Sequence, residues 1–174
     1  MTASALLLID TQVNMFAPAS PVASAEPLLA RLVALLRRAR EAHVPIILVR
    51  NCGNAGDPDQ RGTPGWELHP SLRPAEGDIV LDKTTQDTFA STALGDVLTA
   101  RGIGHLIIAG LQSEYCVRET TLGALTRHFT VTLVSDGHST YDGKERTALQ
   151  TSAAVNAEFA GRVTLVAADS LRFP

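Results

Sequence analysis

The sequence predicts an α/β fold in which helices cover both faces of a six-stranded, mostly parallel sheet, a three-layer α/β/α sandwich of the doubly wound Rossmann type. Two observations carry this prediction: short apolar runs recur along the chain, and amphipathic segments of helical periodicity lie between them. Strands that alternate with helices in this way are joined by right-handed crossovers, which keep the strands parallel.

Six apolar runs are predicted to form the strands, because continuous hydrophobicity is typical of strands that are buried on both faces. They are residues 5–9, 46–49, 79–81, 106–109, 131–134 and 163–166. The carboxyl ends of parallel strands share one edge of the sheet, where ligands bind in open α/β folds. Polar residues directly after each run are therefore the first candidates for a functional site.

Four segments are predicted to form the crossover helices, residues 26–43, 91–101, 115–127 and 143–156. The first is the clearest, because leucines repeat at helical spacing on one side while arginines cover the other. Pro27 suits its first turn, and Pro45 follows its end. Residues 51–77 are interrupted repeatedly by glycine and proline and are predicted to form a long irregular loop with a functional role.

Length and composition limit the class of protein. The 174 residues suit one domain over residues 1–174, large enough to need no disulfide or metal for stability. A net charge of -3 with scattered signs argues against nucleic acid and anionic membranes as partners. The two cysteines, Cys52 and Cys116, lie far apart and indicate a reducing compartment, so a cytoplasmic location is expected. The first apolar run is too short to cross a membrane.

Cys116 lies in a segment, residues 110–120, that follows the fourth apolar run and begins a predicted helix. A thiol near a helix N-terminus interacts with unpaired backbone N–H groups, which favour the thiolate, so a pKa below the usual value is expected. Cys116 is therefore a candidate nucleophile. The alternative is a small buried side chain, the commonest environment of a free cysteine.

Asp10 and Lys83 are the other candidates for chemistry, because they come after the first and third apolar runs. A carboxylate at the end of an apolar strand is partly desolvated, which raises its pKa toward values that suit proton transfer. Lys83 could pair with that carboxylate and stabilise a thiolate. The alternatives are a capping role for Asp10 and a solvated surface position for Lys83. Asp136 and His138, after the fifth run, extend the same edge.

No metal or other cofactor is expected. The five histidines show none of the HxH, HExxH or histidine-plus-cysteine spacings of metal sites. The nucleophile sequence GxSxG and the Walker phosphate-binding loop are absent as well.

Asp10, Lys83 and Cys116, in this order along the chain, resemble the Asp-Lys-Cys triad of the isochorismatase-like cysteine hydrolases. The resemblance covers nearly the whole chain and is carried by four ordered segments. They are LIDTQVNMF (8–16), GWELHP (65–70), DKTTQDTF (82–89) and GLQSEYCV (110–117).

The resemblance implies hydrolysis of a C–N bond in a small amide, carbamoyl or ureido compound. Cys116 would attack the carbonyl carbon after Asp10 takes its proton, Lys83 would stabilise the charged forms of both, and water would release the resulting thioester. The resemblance also implies a cis peptide bond between Leu111 and Gln112. The backbone N–H groups of Gln112 and Cys116 would then form the oxyanion hole.

The chain departs from one subgroup of this family. Nicotinamidases hold a metal with an Asp-x-His pair and a further histidine after the second strand, and residues 50–54 (RNCGN) offer no such set. His69 alone does not bind a metal tightly. We therefore expect no metal and disfavour nicotinamide as the substrate. Isochorismate is disfavoured too, because cleavage of a vinyl ether needs an acid and water and leaves Cys116 unexplained.

The residues that contact a substrate can be predicted only from their position in the chain. Phe16, Trp66 and Tyr115 lie in or beside loops at the predicted edge and could close over a small ligand, the alternative being that they pack the loops. Gln12 and Asn14 could orient the carboxylate or the substrate.

Two other functions stay open at this stage. One is vinyl-ether hydrolysis of the isochorismatase type, which predicts activity without Cys116. The other is a non-catalytic binding module that retains the triad as a relic. A small-molecule substrate is the expected partner, and the resemblance implies a homodimer or homotetramer.

Overall fold

The structure, a computed structural model, describes residues 3–173 and contains one six-stranded sheet. Its strands are β1 (Ala3–Ile9), β2 (Ile46–Asn51), β3 (Ile79–Lys83), β4 (Ile103–Leu111), β5 (Thr130–Ser139) and β6 (Thr164–Val166). All neighbouring strands are parallel, in the order β3-β2-β1-β4-β5-β6. The predicted fold class, with its six strands, is confirmed.

Four helices are predicted, and the described residues form five α-helices, the additional one being a short helix before the second predicted one. They are α1 (Ala25–Glu41), α2 (Thr88–Ser91), α3 (Leu94–Ala100), α4 (Arg118–Thr126) and α5 (Ala148–Phe159). The helix predicted over residues 143–156 begins later, because Thr147 forms a capping box with Gln150. Within residues 3–173, no helix combines the length and the apolar character needed to span a bilayer.

Alternation along β1 explains why its residues 5–9 are all apolar. Leu6 and Leu8 belong to a core cluster on the α1 face of the sheet, whereas Leu7 and Ile9 belong to a second cluster on the opposite face, with residues of α3, α4 and α5. Successive side chains of a strand point to opposite faces, so a strand covered on both sides must be apolar at every position.

The fifth strand is longer than predicted. It continues past Val134 because its pairing with β4 resumes after an irregularity between Ile108 and Gly110, so that Gly110 pairs with His138. His138, expected to follow the strand, therefore lies within it. The prediction ended this strand at residue 134 because residues 135–139 are mostly polar and the prediction relied on apolar runs.

Strands β1 and β4 are neighbours at the centre of the sheet, although two strands separate them in sequence. This is the point at which strand order reverses and where open α/β sheets bind ligands. Gly110 permits their close approach: its φ is +127°, and a Cβ there would lie 2.1 Å from the carbonyl oxygen of Ile9. The residues after β1 and after β4 are thereby brought side by side.

We expect Leu32→Ala in α1 to lower the free energy of unfolding by about 2–5 kcal/mol, because it opens a cavity in the core under the sheet. Leu32 is fully buried, whereas Leu149 is 80% exposed and serves as the matched control. Urea unfolding of both variants measures the effect, and Leu149→Ala should change the free energy by less than about 0.5 kcal/mol. Equal effects of the two substitutions would contradict the assigned core.

Candidate active site

The structure brings Asp10, Lys83 and Cys116 together at the carboxyl edge of the sheet. The ammonium Nζ of Lys83 lies 2.9 Å from Asp10 Oδ2 and 3.1 Å from Cys116 Sγ. Asp10 directly follows β1, Lys83 ends β3, and Cys116 lies in the turn after β4. The three side chains therefore form one cluster, in which Lys83 contacts the other two. Their catalytic roles stay a prediction.

Lys83 is the centre of this cluster. Its side chain is fully buried, which excludes the surface position considered for it. Its third partner is Asn51, whose Oδ1 accepts a hydrogen bond from Nζ at 3.0 Å. Burial opposes the charge, but the Asp10 carboxylate and Cys116 outweigh burial and hold the pKa of Lys83 above its usual value. The ammonium is therefore charged at neutral pH.

Asp10 is a buried carboxylate with one free oxygen. Its exposed fraction is 1%, and Oδ1 has no hydrogen-bond partner among residues 3–173. Its φ of 51° turns the chain out of β1, a conformation that aspartate tolerates better than most residues. Burial raises its pKa more than Lys83 and Cys116 lower it. It does not cap the short helix that follows, Val13–Phe16, whose N-cap residue is Gln12.

The low pKa expected for Cys116 is wrong. Instead of starting an α-helix, Cys116 lies near the end of a π-helical turn, Ser113–Val117, and α4 begins only at Arg118. Burial and the Asp10 carboxylate together raise the pKa of the Cys116 thiol to about 12, although Lys83 opposes them. The resting side chain is therefore a thiol at neutral pH.

Two polar residues outside the predicted site complete the cluster. Asn51, which accepts from Lys83, donates from Nδ2 to Asp59 Oδ2 at 2.7 Å. Asp59 is a second buried carboxylate, 9% exposed, on the irregular loop between β2 and β3. Asn51 ends β2, so its position after an apolar run is a signal for it. Asp59 has no comparable signal, since the path of its loop does not follow from residue pattern.

A buried hydrogen-bond network holds the turn that carries Cys116. Ser113 Oγ lies 2.8 Å from His138 Nδ1 and 2.9 Å from Ser152 Oγ. His138 Nε2 in turn lies 3.1 Å from Asn156 Oδ1. Burial lowers the pKa of His138, so its ring is neutral at neutral pH. Strand β5 and helix α5 thus fix the start of the turn, and His138 serves to position it.

Gln12 and Trp66, both predicted to contact substrate, use their polar groups within the protein. The fully buried amide of Gln12 donates to the carbonyls of Asn51 and Trp66 and accepts from the Asn51 N–H. Trp66 donates from Nε1 to Cys52 Sγ at 3.3 Å, and the Arg50 guanidinium lies 3.6 Å from its ring centre. These contacts hold the loops together, and a contact with substrate stays a prediction.

The other three residues predicted to contact substrate differ in their surroundings. Tyr115, beside Cys116 in sequence, is 46% exposed. Asn14 has a buried Oδ1 without a hydrogen-bond partner among the described residues. Phe16 packs edge-to-face on the ring of His69, with 5.3 Å between ring centres.

The peptide bond between Leu111 and Gln112 is cis, as the resemblance implied. The carbonyl of Gln112 accepts hydrogen bonds from the N–H groups of Tyr115 and Val117, which closes the π-helical turn over it. An oxyanion hole made by the N–H groups of Gln112 and Cys116 stays a prediction.

The described part of the chain offers no metal centre: it contains no group of three or more histidine, cysteine, aspartate or glutamate side chains placed to hold an ion. His69, the histidine considered as a lone ligand, accepts a hydrogen bond from the N–H of Ser71.

The fold and site define an α/β domain of the cysteine-hydrolase class, with a buried thiol, carboxylate and ammonium where the strand order reverses. The chain belongs to the isochorismatase family of hydrolases, because the family model "Isochorismatase domain" matches residues 4–164. The resemblance drawn from the four sequence segments is confirmed.

Relatives of known name agree with this assignment. The chain is 41% identical to a streptothricin hydrolase of Streptomyces noursei over 79% of this chain and 55% of that protein. It is 30% identical to the ureidoacrylate amidohydrolase RutB of Enterobacter sp. (strain 638), over 78% and 75% of the two chains. The crystal structure of an isochorismatase from Pseudomonas putida KT2440 matches with a TM-score of 0.91 and 29% sequence identity. The match covers 97% of this chain and 90% of that chain. The chain spans about half the length of the streptothricin hydrolases that it matches.

We expect Lys83→Met to lower the free energy of unfolding by about 3–5 kcal/mol, because it leaves the Asp10 carboxylate buried without its cation. Adding Asp10→Asn should restore part of this loss, since the unpaired charge is then removed. Denaturant unfolding of the wild type, both single variants and the double variant gives the coupling energy. Arg37→Met, which breaks an exposed pair with Glu41, is the control and should cost less than about 1 kcal/mol. A Lys83→Met variant as stable as this control would contradict a buried ion pair.

We expect iodoacetamide to alkylate Cys116 slowly near neutral pH, at a rate that rises about tenfold per pH unit up to pH 10, because the thiolate reacts and is scarce. The rate is measured by mass spectrometry in a Cys52→Ala background. Asp10→Asn should speed alkylation, because the carboxylate raises the pKa of the thiol. A rate that levels off below pH 8 would contradict a resting thiol.

Proposed function

We propose that this protein is a metal-independent cysteine hydrolase that cleaves a C–N bond in a small amide, carbamoyl or ureido substrate through a thioester on Cys116. One observation carries the proposal: a single buried ammonium, Lys83 Nζ, contacts both the Cys116 sulfur at 3.1 Å and the Asp10 carboxylate at 2.9 Å. Such an arrangement stabilises negative charge on either partner during proton transfer.

In the first half-reaction, the thiol proton passes to Asp10 as the Cys116 sulfur forms a bond to the carbonyl carbon. Burial raises the pKa of both groups, so the carboxylate is a stronger base than an exposed aspartate and the thiol stays protonated until substrate binds. The free oxygen, Asp10 Oδ1, is the one available for the proton. The C–N bond then breaks as Asp10 gives this proton to the leaving nitrogen, and a thioester remains.

In the second half-reaction, the Asp10 carboxylate takes a proton from water, which attacks the thioester carbon. The C–S bond breaks, the acid leaves, and the proton returns to the Cys116 sulfur. The N–H groups of Gln112 and Cys116 are the proposed donors to the oxyanion in both halves, each worth about 2.7–4 kcal/mol of transition-state stabilisation if it behaves like other such donors.

The names of the relatives support C–N bond hydrolysis. One is called a streptothricin hydrolase and another a ureidoacrylate amidohydrolase, and the second name describes cleavage of an amide-type bond. The proposed walls of the substrate pocket are Asn14, which has a free polar atom, the half-buried Phe16, and Tyr115, which is 46% exposed and adjacent to Cys116 in sequence.

The test is capture of the acyl-enzyme. The protein is incubated with small primary amides, ureido acids and carbamoyl amino acids, quenched in acid, and its mass measured before and after digestion. We expect an acyl adduct on the peptide that contains Cys116, and a fall in kcat of roughly 10⁴-fold or more in Cys116→Ala and in Asp10→Asn. Cys52→Ala is the matched control and should keep kcat within a few-fold.

Two outcomes would contradict this proposal. If Cys116→Ala keeps its activity while Asp10→Ala loses it, the reaction needs no thiol and ether hydrolysis of the isochorismatase type is favoured. If no member of the panel is hydrolysed and no adduct forms on Cys116, the site is not an amide-hydrolysing one.

A further inference from the structure

Asp59 is a carboxylate that the proposed mechanism does not use, although it lies beside the reacting groups. It is connected to them through one side chain: Asn51 accepts from Lys83 Nζ at 3.0 Å and donates to Asp59 Oδ2 at 2.7 Å. Asp59 is 9% exposed, so most of its surface is withdrawn from solvent.

No cation of the described residues pairs with this carboxylate. Lys83 pairs with Asp10, and Arg61, which is close to Asp59 in sequence, pairs instead with Asp82 at 3.1 Å. The cluster therefore holds two carboxylates and one ammonium. A buried carboxylate without a cation is unfavourable, and a bound positive charge would relieve that cost.

The local sequence is adapted to this placement of Asp59. A Cβ on Gly53 would lie 2.2 Å from Asp59 Oδ1, so a side chain at position 53 would push the carboxylate away. The hydrogen bond to Asn51 uses Oδ2 of Asp59, so Oδ1 can accept a hydrogen bond from a ligand.

Asp59 also acts electrostatically on Asp10. Burial and the Lys83 charge have the larger influence on the pKa of Asp10, and Asp59 contributes to raising it. A carboxylate is the side chain that pairs with ammonium and guanidinium ions in proteins.

We propose that the substrate is a cationic amide, whose protonated amine or guanidinium group pairs with Asp59 while its carbonyl carbon meets Cys116. This inference rests on the proposed function and narrows its substrate class. The reaction is unchanged, with water the only co-reactant. An anionic substrate of the same size is disfavoured, because it would place a third negative charge next to Asp10 and Asp59.

The test compares three amides of equal length that end in an ammonium, a hydroxyl or a carboxylate group. We expect kcat/KM to be at least about tenfold higher for the ammonium than for the hydroxyl compound, and lowest for the carboxylate. Asp59→Asn should lower kcat/KM at least about tenfold more for the ammonium compound than for the hydroxyl compound, which removes most of the advantage of the ammonium group. Asp57→Asn, an exposed aspartate of the same loop, is the matched control and should keep the order of preference.

A second measurement does not depend on turnover. Butylammonium ion should slow the alkylation of Cys116 at pH 9 at a concentration at least about tenfold lower than butyrate does, and Asp59→Asn should abolish this difference. The wild-type comparison of the two ions keeps the inference testable if the variant does not fold, which circular dichroism checks.

The outcomes separate this inference from the function on which it rests. Equal kcat/KM for the three amides, with acylation of Cys116, or equal protection by the two ions overturns the cationic substrate and leaves the hydrolase intact. Protection by butylammonium alone, without hydrolysis of any amide, supports the cation site and counts against the hydrolase.

Discussion

The buried ion pair between Asp10 and Lys83, with 2.9 Å between Oδ2 and Nζ, is the interaction on which the site depends. Removing two charges from water costs several kcal/mol per ion, and only close geometry with further hydrogen bonds offsets that cost. Three strands supply this geometry: Asp10 directly follows β1, Lys83 ends β3, and β2 between them contributes Asn51 as another acceptor. Neighbouring strands lie about 4.8 Å apart, so a long side chain is needed to cross from β3 over β2. Lysine meets both requirements, length and charge.

Cys116, the proposed nucleophile, is positioned by different means. Cys116 is carried by a π-helical turn, whose wider winding changes the direction of its side chains relative to an α-helix and is frequent at functional sites. The turn is fixed at Ser113 by His138 and Ser152, which belong to β5 and α5. The position of the sulfur therefore depends on the half of the sheet formed by β4, β5 and β6. The ion pair depends on the other half, formed by β1, β2 and β3. The close approach of β1 and β4 at Gly110 joins the two halves.

The fold and the three central residues could be predicted because each leaves a local signal. Apolar runs gave the strands, and a polar residue directly after a run gave Asp10, Lys83 and the segment of Cys116. The pKa of the thiol could not be predicted in the same way, because helix position suggested a value below the usual one while burial and a neighbouring carboxylate decide it. Asp59 was missed for a similar reason, since its place depends on the path of the irregular loop. Sequence pattern reports the ends of regular elements better than the electrostatic balance among side chains that meet only in the fold.

That balance also accounts for the proposed mechanism, in which a thiol of pKa about 12 attacks a carbonyl group. When the proton moves from sulfur to Asp10, the negative charge moves from the carboxylate to the sulfur, and the net charge of the cluster does not change. Lys83 lies almost equally close to both atoms, at 2.9 Å and 3.1 Å, so it stabilises the charge before and after the transfer without moving. A preorganised charge of this kind lowers the reorganisation needed in the transition state. A preformed thiolate would instead leave the carboxylate and the sulfur both negative around one ammonium, which the raised pKa of the thiol argues against.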